Sequence, residues 1–123
     1  RLTGRSVAEI QLHRLESARE FAREYQVVLV LKGAGTIVAE PSGHAWVNQT
    51  GNAGMARGGS GDVLAGLIGA LLAQGCAPAQ AAAAAVWLHG TAGDRCAARL
   101  SQTAMLPGDL IEELPGLFLE IGR

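Results

Sequence analysis

"NQTGNAGMARGGSGDVLAGLIGALLAQG", residues 48–75, decides how this chain is read. Six glycines fall between residues 51 and 66, and the stretch then runs directly into leucine and alanine. Val63, Leu64, Leu67, Ile68, Leu71 and Leu72 recur at helical spacing, with alanine and glycine filling the other positions. That pattern predicts a helix buried on most of its sides, ended by Gly75. A glycine-rich turn that opens a helix is a physical device for holding anions. Glycines let several backbone N–H groups face one concavity, and the helix N-terminus adds unpaired donors and the positive end of a dipole. "GGSGD", residues 58–62, has this form, with Gly58, Gly59, Ser60 and Gly61 as the expected anion hole. It is neither a GxxxxGK[ST] phosphate loop nor a GxGxxG dinucleotide fingerprint.

Asp62 is the only acid in the stretch. A carboxylate in the first turn of a helix is favoured by the dipole. It would nevertheless repel a bound phosphate unless it faced the group that attacks the phosphorus. Aspartate is a weak base, but phosphoryl transfer needs the hydroxyl proton removed only late. The loop therefore points to phosphoryl transfer to an alcohol, with Asp62 as the base. A flexible glycine–serine loop followed by an ordinary first-turn acid has the same spelling, and spacing alone does not separate the two. Asn48 and Asn52 frame the loop and are read as shaping it.

Working outward, Ser6 and Glu9 form a capping box that predicts a helix from about Val7 to near Tyr25. "VVLVLK" (27–32) is an apolar, β-branched run of the kind found in buried parallel strands. "GAG" (33–35) turns the chain, and "TIVAE" (36–40) and "AWVN" (45–48) flank "PSGH" as a hairpin. Pro78 suits the first turn of a helix carrying "AQAAAAAVWLHG", whose alanines allow close packing. Pro107 opens a last helix, which Pro115 is expected to kink or interrupt. The order is helix, strand, hairpin and three helices, with no repeat or interdomain linker. Two or three strands cannot cover this many apolar helices, so the chain reads as the second half of a larger α/β domain.

Composition narrows the function classes. The 123 residues are 49% hydrophobic and 17% charged, enough for a core and too apolar for disorder. A net charge of −1 and 4% aromatics make no case for nucleic acid or an acidic membrane surface. Between residues 41 and 93 the formal charges are Arg57 and Asp62 alone, so that middle is expected to be mostly buried. Cys76 and Cys96 match no metal spacing and are read as reduced core thiols. The start of the chain lacks the apolar run of a signal peptide, which leaves a cytoplasmic protein as the expectation. His13 is read as a surface residue, His44 as solvated in the hairpin turn, and His89 as a packing residue.

"KGAGTIVAEPSGHAWVNQTGNAGMARGGSGDVLAGLIGALLAQG" (32–75) closely resembles the ADP-dependent NAD(P)H-hydrate dehydratases, a ribokinase-like family. "WLHGTAGD" (87–94) and "LPGDLIEELP" (106–115) resemble later family segments, and GNxGMAxGGSGDVLAG is the most specific string. The resemblance implies a three-layer α/β/α ribokinase-like fold, of which residues 1–123 form the C-terminal portion of a single domain. It implies removal of the water added across the nicotinamide ring of NADH or NADPH. The ring hydroxyl would be phosphorylated at the expense of ADP and phosphate then eliminated, giving AMP, phosphate and the repaired cofactor. Lys32, Gly33, Ala34, Gly35 and Thr36 would contact the AMP portion, Gly61 the nucleotide, and Asp62 the hydrated nicotinamide. The co-substrate would be ADP, with Mg2+ held mostly by phosphate oxygens and no protein metal site. The partners implied are the small molecules NAD(P)HX and ADP, a fused NAD(P)HX epimerase domain, and further copies of the chain.

The sequence departs from the family in places. Arg57 replaces a small polar residue and either adds a phosphate contact or faces solvent. "PGD" at 107–109 stands where a small-residue turn is expected, so a ligand role for Asp109 is not carried over. The family's first half, with much of the nicotinamide pocket, would precede Arg1. Two other readings are kept: a ribokinase-like kinase of a small alcohol or vitamin precursor, and a nucleotide-binding fragment that is catalytically incomplete.

Overall fold

A computed structural model describes residues 7–122. The Ser6 half of the capping box lies outside the described residues. The element order is α1 (Val7–Tyr25), β1 (Leu29–Leu31), β2 (Ile37–Ala39), β3 (Ala45–Val47), a 3-10 turn (Ala53–Met55), α2 (Ser60–Ala73), α3 (Pro78–Leu100) and α4 (Pro107–Glu120). This is the predicted order with the 3-10 turn added. The chain groups into two compact units that meet in sequence between Val47 and Asn48.

In the first unit the three strands form an antiparallel sheet in the order β1-β2-β3. Leu29 pairs with Ala39 and Leu31 with Ile37, and β3 pairs with β2 from Ile37↔Val47 to Ala39↔Ala45. The hairpin is where the sequence places it. Among the described residues the parallel expectation for β1 is not met: its pairing is with β2, antiparallel. The connection from β1 to β2 is a short turn, whereas a parallel partner needs a crossover of a dozen or more residues. An apolar run reports burial, not strand direction, and β1 is half-buried along its length. One side of α1 closes this sheet: Ala18 and Ala22 pack with Ile37 and Ala39, ringed by Leu15, Leu29, Leu31 and Ala45. Small residues at 18 and 22 let the helix approach the strands closely, while His13, Glu16, Glu20, Arg23 and Glu24 are exposed.

The second unit is built on α3, which packs against both α2 and α4. Ala81, Ala82, Ala85, Val86, Leu88, Ala92 and Cys96 are its buried hydrophobic residues, so the alanine run is packing, as expected. Met105, Leu110 and Leu117 complete the core from the α4 side. Burial pushes the Cys96 thiol up from its ordinary range, which keeps it neutral. Cys76, just past the end of α2, is only partly buried, so the reading of both cysteines as core thiols holds for Cys96 alone.

Two further expectations are corrected here. Helix α2 buries Ser60, Leu64, Leu67 and Leu71 on one face, while Ala65, Gly66, Gly69, Ala70 and Leu72 are exposed. Its apolar composition is all-round, but only one face has a packing partner in this unit. Helix α4 continues across Pro115 without interruption. The carbonyl that Pro115 leaves without a donor belongs to Ile111, which is exposed, so water can satisfy it. Pro78 and Pro107 both stand at the first helical position, where the missing N–H costs nothing. Asp109 is a capping residue: its Oδ2 accepts from the Leu106 N–H at 2.9 Å. Helix α2 ends in a Schellman motif, with Gly75 N–H on Leu72 O at 3.0 Å and Cys76 N–H on Leu71 O at 3.1 Å.

Candidate active site at the start of α2

The glycine loop forms the start of α2 as predicted. Gly59 is the N-cap, with φ of 99°, a left-handed conformation that explains glycine there. The Val63 N–H bonds to the N-cap carbonyl, Gly59 O, at 3.2 Å. Gly61 and Asp62 precede it, and their N–H groups are among those a helix N-terminus turns toward an acceptor. Gly58 is exposed, and the space beside its Cα is open. Asp62 occupies the third helical position with its carboxylate exposed, and it is the only charge on α2. Open glycine backbone, helix-start donors and one acid thus share a single turn.

Ser60 differs from its neighbours. It is buried, and its Oγ lies 3.2 Å from His89 Nε2. The same nitrogen lies 3.0 Å from the Ser60 carbonyl oxygen. A carbonyl can only accept, so the contact calls for the tautomer that carries its proton on Nε2. His89 thereby fixes the first turn of α2 to α3. Its reading as a packing residue holds, and its packing partner is the anion loop itself.

The loop that leads to α2 is seated on the same face of α3. Asn48 Nδ2 donates to Thr50 Oγ1 at 2.9 Å and Thr50 O at 3.2 Å, and Thr50 Oγ1 donates to Trp87 O at 3.3 Å. Asn52 Oδ1 accepts from Gly54 N–H at 2.9 Å. The Asp94 carboxylate accepts from Gly51 N–H at 3.0 Å and from Asn52 Nδ2 at 2.9 Å. Both asparagines shape the loop, as their flanking positions suggested. Gly90 and Gly93 leave room for it: a side chain at 90 would strike Thr50, and one at 93 would strike Met55. Glycine inside a helix costs about 1 kcal/mol, and here the close seat of the loop offsets it. Arg57 is exposed, the second of the roles considered for it. Its Nη2 donates to Thr103 O at 2.5 Å and so ties the loop to the α3–α4 connection.

The second predicted segment, Lys32 to Thr36, belongs to the first unit and joins β1 to β2. Lys32, Gly33 and Ala34 are exposed, and Gly35 and Thr36 are half-buried. Thr36 Oγ1 donates to Gly33 O at 3.1 Å across the turn. Arg14 of α1 donates to Ala34 O at 3.1 Å and Lys32 O at 3.3 Å. Arg14, His89 and Asp94 are residues to which sequence reasoning assigned no part in a site. For His89 and Asp94 a signal existed: Gly90 and Gly93 share one helical face beside them. For Arg14, nearly 20 residues from its acceptors, there was none. Among the described residues no cluster of His, Cys, Asp and Glu could hold a metal ion, and no helix is long and apolar enough to cross a membrane.

Comparison with known proteins sets the class. The crystal structure of the ADP/ATP-dependent NAD(P)H-hydrate dehydratase from Bacillus subtilis, co-crystallised with ATP and Mg2+, matches with a TM-score of 0.85 at 39% identity. The match covers 98% of this chain and 43% of that one. A ribokinase-like superfamily protein from Enterococcus faecalis matches with a TM-score of 0.74 at 33% identity, over 86% of this chain and 36% of its own. The fold is therefore a portion of the ribokinase-like α/β architecture, as the sequence led one to expect. A carbohydrate-kinase family model described as NAD(P)H-hydrate dehydratase matches residues 1–116, and the chain belongs to that family. The bifunctional NAD(P)H-hydrate repair enzyme Nnr of Moorella thermoacetica is 53% identical over 115 residues, 94% of this chain and 22% of that protein. The chain thus spans less than half the length of these relatives.

Proposed function

We propose that the chain is part of an ADP-dependent dehydratase that returns hydrated NADH or NADPH to NADH or NADPH. The observation that carries this reading is the start of α2, where open glycine backbone and helix-start N–H groups adjoin the single carboxylate of Asp62. That combination suits transfer of a phosphoryl group to an alcohol. The hydroxyl of the hydrated nicotinamide ring attacks the β-phosphorus of ADP. Asp62 accepts the hydroxyl proton, and AMP leaves. Elimination of phosphate then restores the ring double bond, so each turnover yields AMP, phosphate and the reduced cofactor. The N–H groups at Gly59 and Gly61 hold the migrating phosphate, whereas the Ser60 N–H is taken by Arg57 O at 3.2 Å; Gly61 contacts the nucleotide, and Lys32 to Thr36 contact its AMP portion. Both compact units belong, on this reading, to one ribokinase-like domain.

The name of the Bacillus subtilis relative, ADP/ATP-dependent and crystallised with ATP and Mg2+, supports ADP as co-substrate. A magnesium ion fits here when phosphate oxygens supply most of its shell, since no cluster of protein ligands exists among the described residues. Bound in that way, it would neutralise charge on the phosphates. The bifunctional name of the Moorella thermoacetica relative supports a second, fused domain in the whole protein.

The test is formation of NADH from hydrated NADH by the full-length protein, with ADP and with ATP, while AMP and phosphate are measured. The expected result is one AMP and one phosphate for each NADH formed with ADP. Phosphorylation of a small alcohol by ATP without NADH formation would instead establish a kinase on the same loop. ADP binding without turnover would establish a nucleotide-binding module.

A further inference from the structure

Arg14 takes no part in the reaction proposed above, yet its side chain makes four hydrogen bonds. Its guanidinium donates to Gln11 Oε1 at 3.0 Å, Ala34 O at 3.1 Å, Lys32 O at 3.3 Å and Leu31 O at 3.4 Å. Three of these acceptors are main-chain carbonyls of the segment that leaves β1 and turns toward β2. Only a planar fork with several donors can hold carbonyls spread over four residues; an ammonium is a single point. Gly33 fits closely beneath it: φ there is 149°, and an added Cβ would lie 3.0 Å from Arg14 Nη2.

The described peptide bonds include no cis bond. A trans peptide directs its N–H opposite its C=O. Carbonyls of Leu31, Lys32 and Ala34 drawn to the guanidinium therefore turn the N–H groups of Lys32, Gly33 and Gly35 to the far side of the turn. That side carries donors, and Lys32 itself is exposed. A surface of donors suits an acceptor-rich anion such as a phosphate. The guanidinium meanwhile neutralises the carbonyl ends that would otherwise repel it.

From this geometry we infer that Arg14 is a positioning residue for nucleotide binding: it orients the 32–35 turn so that its N–H groups meet the phosphate of the AMP portion. The inference rests on the reading of Lys32 to Thr36 as the nucleotide segment.

The test compares Arg14→Gln and Arg14→Lys with the wild type in the full-length enzyme, by ADP titration calorimetry, steady-state kinetics and thermal melting. The Gln variant is expected to raise the ADP Kd and KM about tenfold, while kcat at saturating ADP and the KM for hydrated NADH stay near wild type. The Lys variant, which keeps the charge and is the milder change for folding, is expected to leave most of the ADP defect in place. Unchanged ADP affinity in both variants overturns the inference. So does an equal loss in kcat and in both KM values that tracks a lowered Tm, because that is a structural role alone. Failure of the wild type to bind ADP overturns the reading of the 32–36 segment, and the Arg14 inference with it.

Discussion

Gly58 and Gly59 are neighbours in the anion loop, but they serve it differently. Gly59 holds the left-handed N-cap conformation at φ 99°, and an added Cβ would also meet Pro107 Cγ at 3.3 Å. Gly58 has no positive φ and nothing within 4 Å of an added Cβ. Gly59→Ala is therefore expected to lower stability by about 1–2 kcal/mol, read as a fall in denaturation midpoint without ligand. Gly58→Ala is expected to leave stability within about 0.5 kcal/mol yet weaken ADP binding, because its methyl enters the space the phosphate needs. Full ADP affinity in Gly58→Ala would mean that the phosphate does not approach this glycine. Much of this residue-scale detail was legible in the string GGSGD, since an open turn before a helix is a local property. The clamp of His89 on Ser60 and the grip of Asp94 on Gly51 and Asn52 were not, because their partners lie 29 to 43 residues away in the chain.

The elements whose shape depends on neighbouring residues were read from the sequence: α1 to Tyr25, the hairpin around residues 41–44, and the proline-opened starts of α3 and α4. What failed depended on packing partners. Among the described residues β1, expected to be parallel, pairs antiparallel with β2, and α2, expected to be covered on most sides, is covered on one. An apolar sequence specifies that a surface can be buried, not which element buries it. Helix α4 shows the stronger kind of signal. Leu110 and Leu117, two turns apart, are each 1% exposed, while Ile111 and Leu119 beside them face outward. Leu110→Ala is expected to cost about 2–5 kcal/mol, measured by chemical denaturation. A loss under 1 kcal/mol would show that this face of α4 does not form the core of its unit. At the far end of the same helix the Arg95–Glu120 pair is exposed, and Arg95 holds the Glu120 carboxyl below the usual carboxylate range. Such a pair contributes little, and what it contributes is lost only as pH falls through that lowered value.

At the scale of the molecule, the described chain corresponds to part of the ribokinase-like domain found in its relatives, with the glycine loop in one compact unit and the 32–36 turn in the other. Each segment is organised by a residue outside it: Arg14 holds the turn, and His89 and Asp94 hold the loop. The family was legible because GNxGMAxGGSGDVLAG is long and specific, whereas those supporting residues are visible only once the chain is folded. In the proposed reaction Asp62 is the group that takes a proton from the substrate. The most direct measurement is turnover of hydrated NADH by the full-length Asp62→Asn enzyme with ADP, alongside its ADP affinity. Asparagine keeps the size of the side chain and one acceptor oxygen but is no base. NADH formation is expected to be abolished while ADP binding stays within a few fold of wild type. Turnover at the wild-type rate would contradict that role for Asp62.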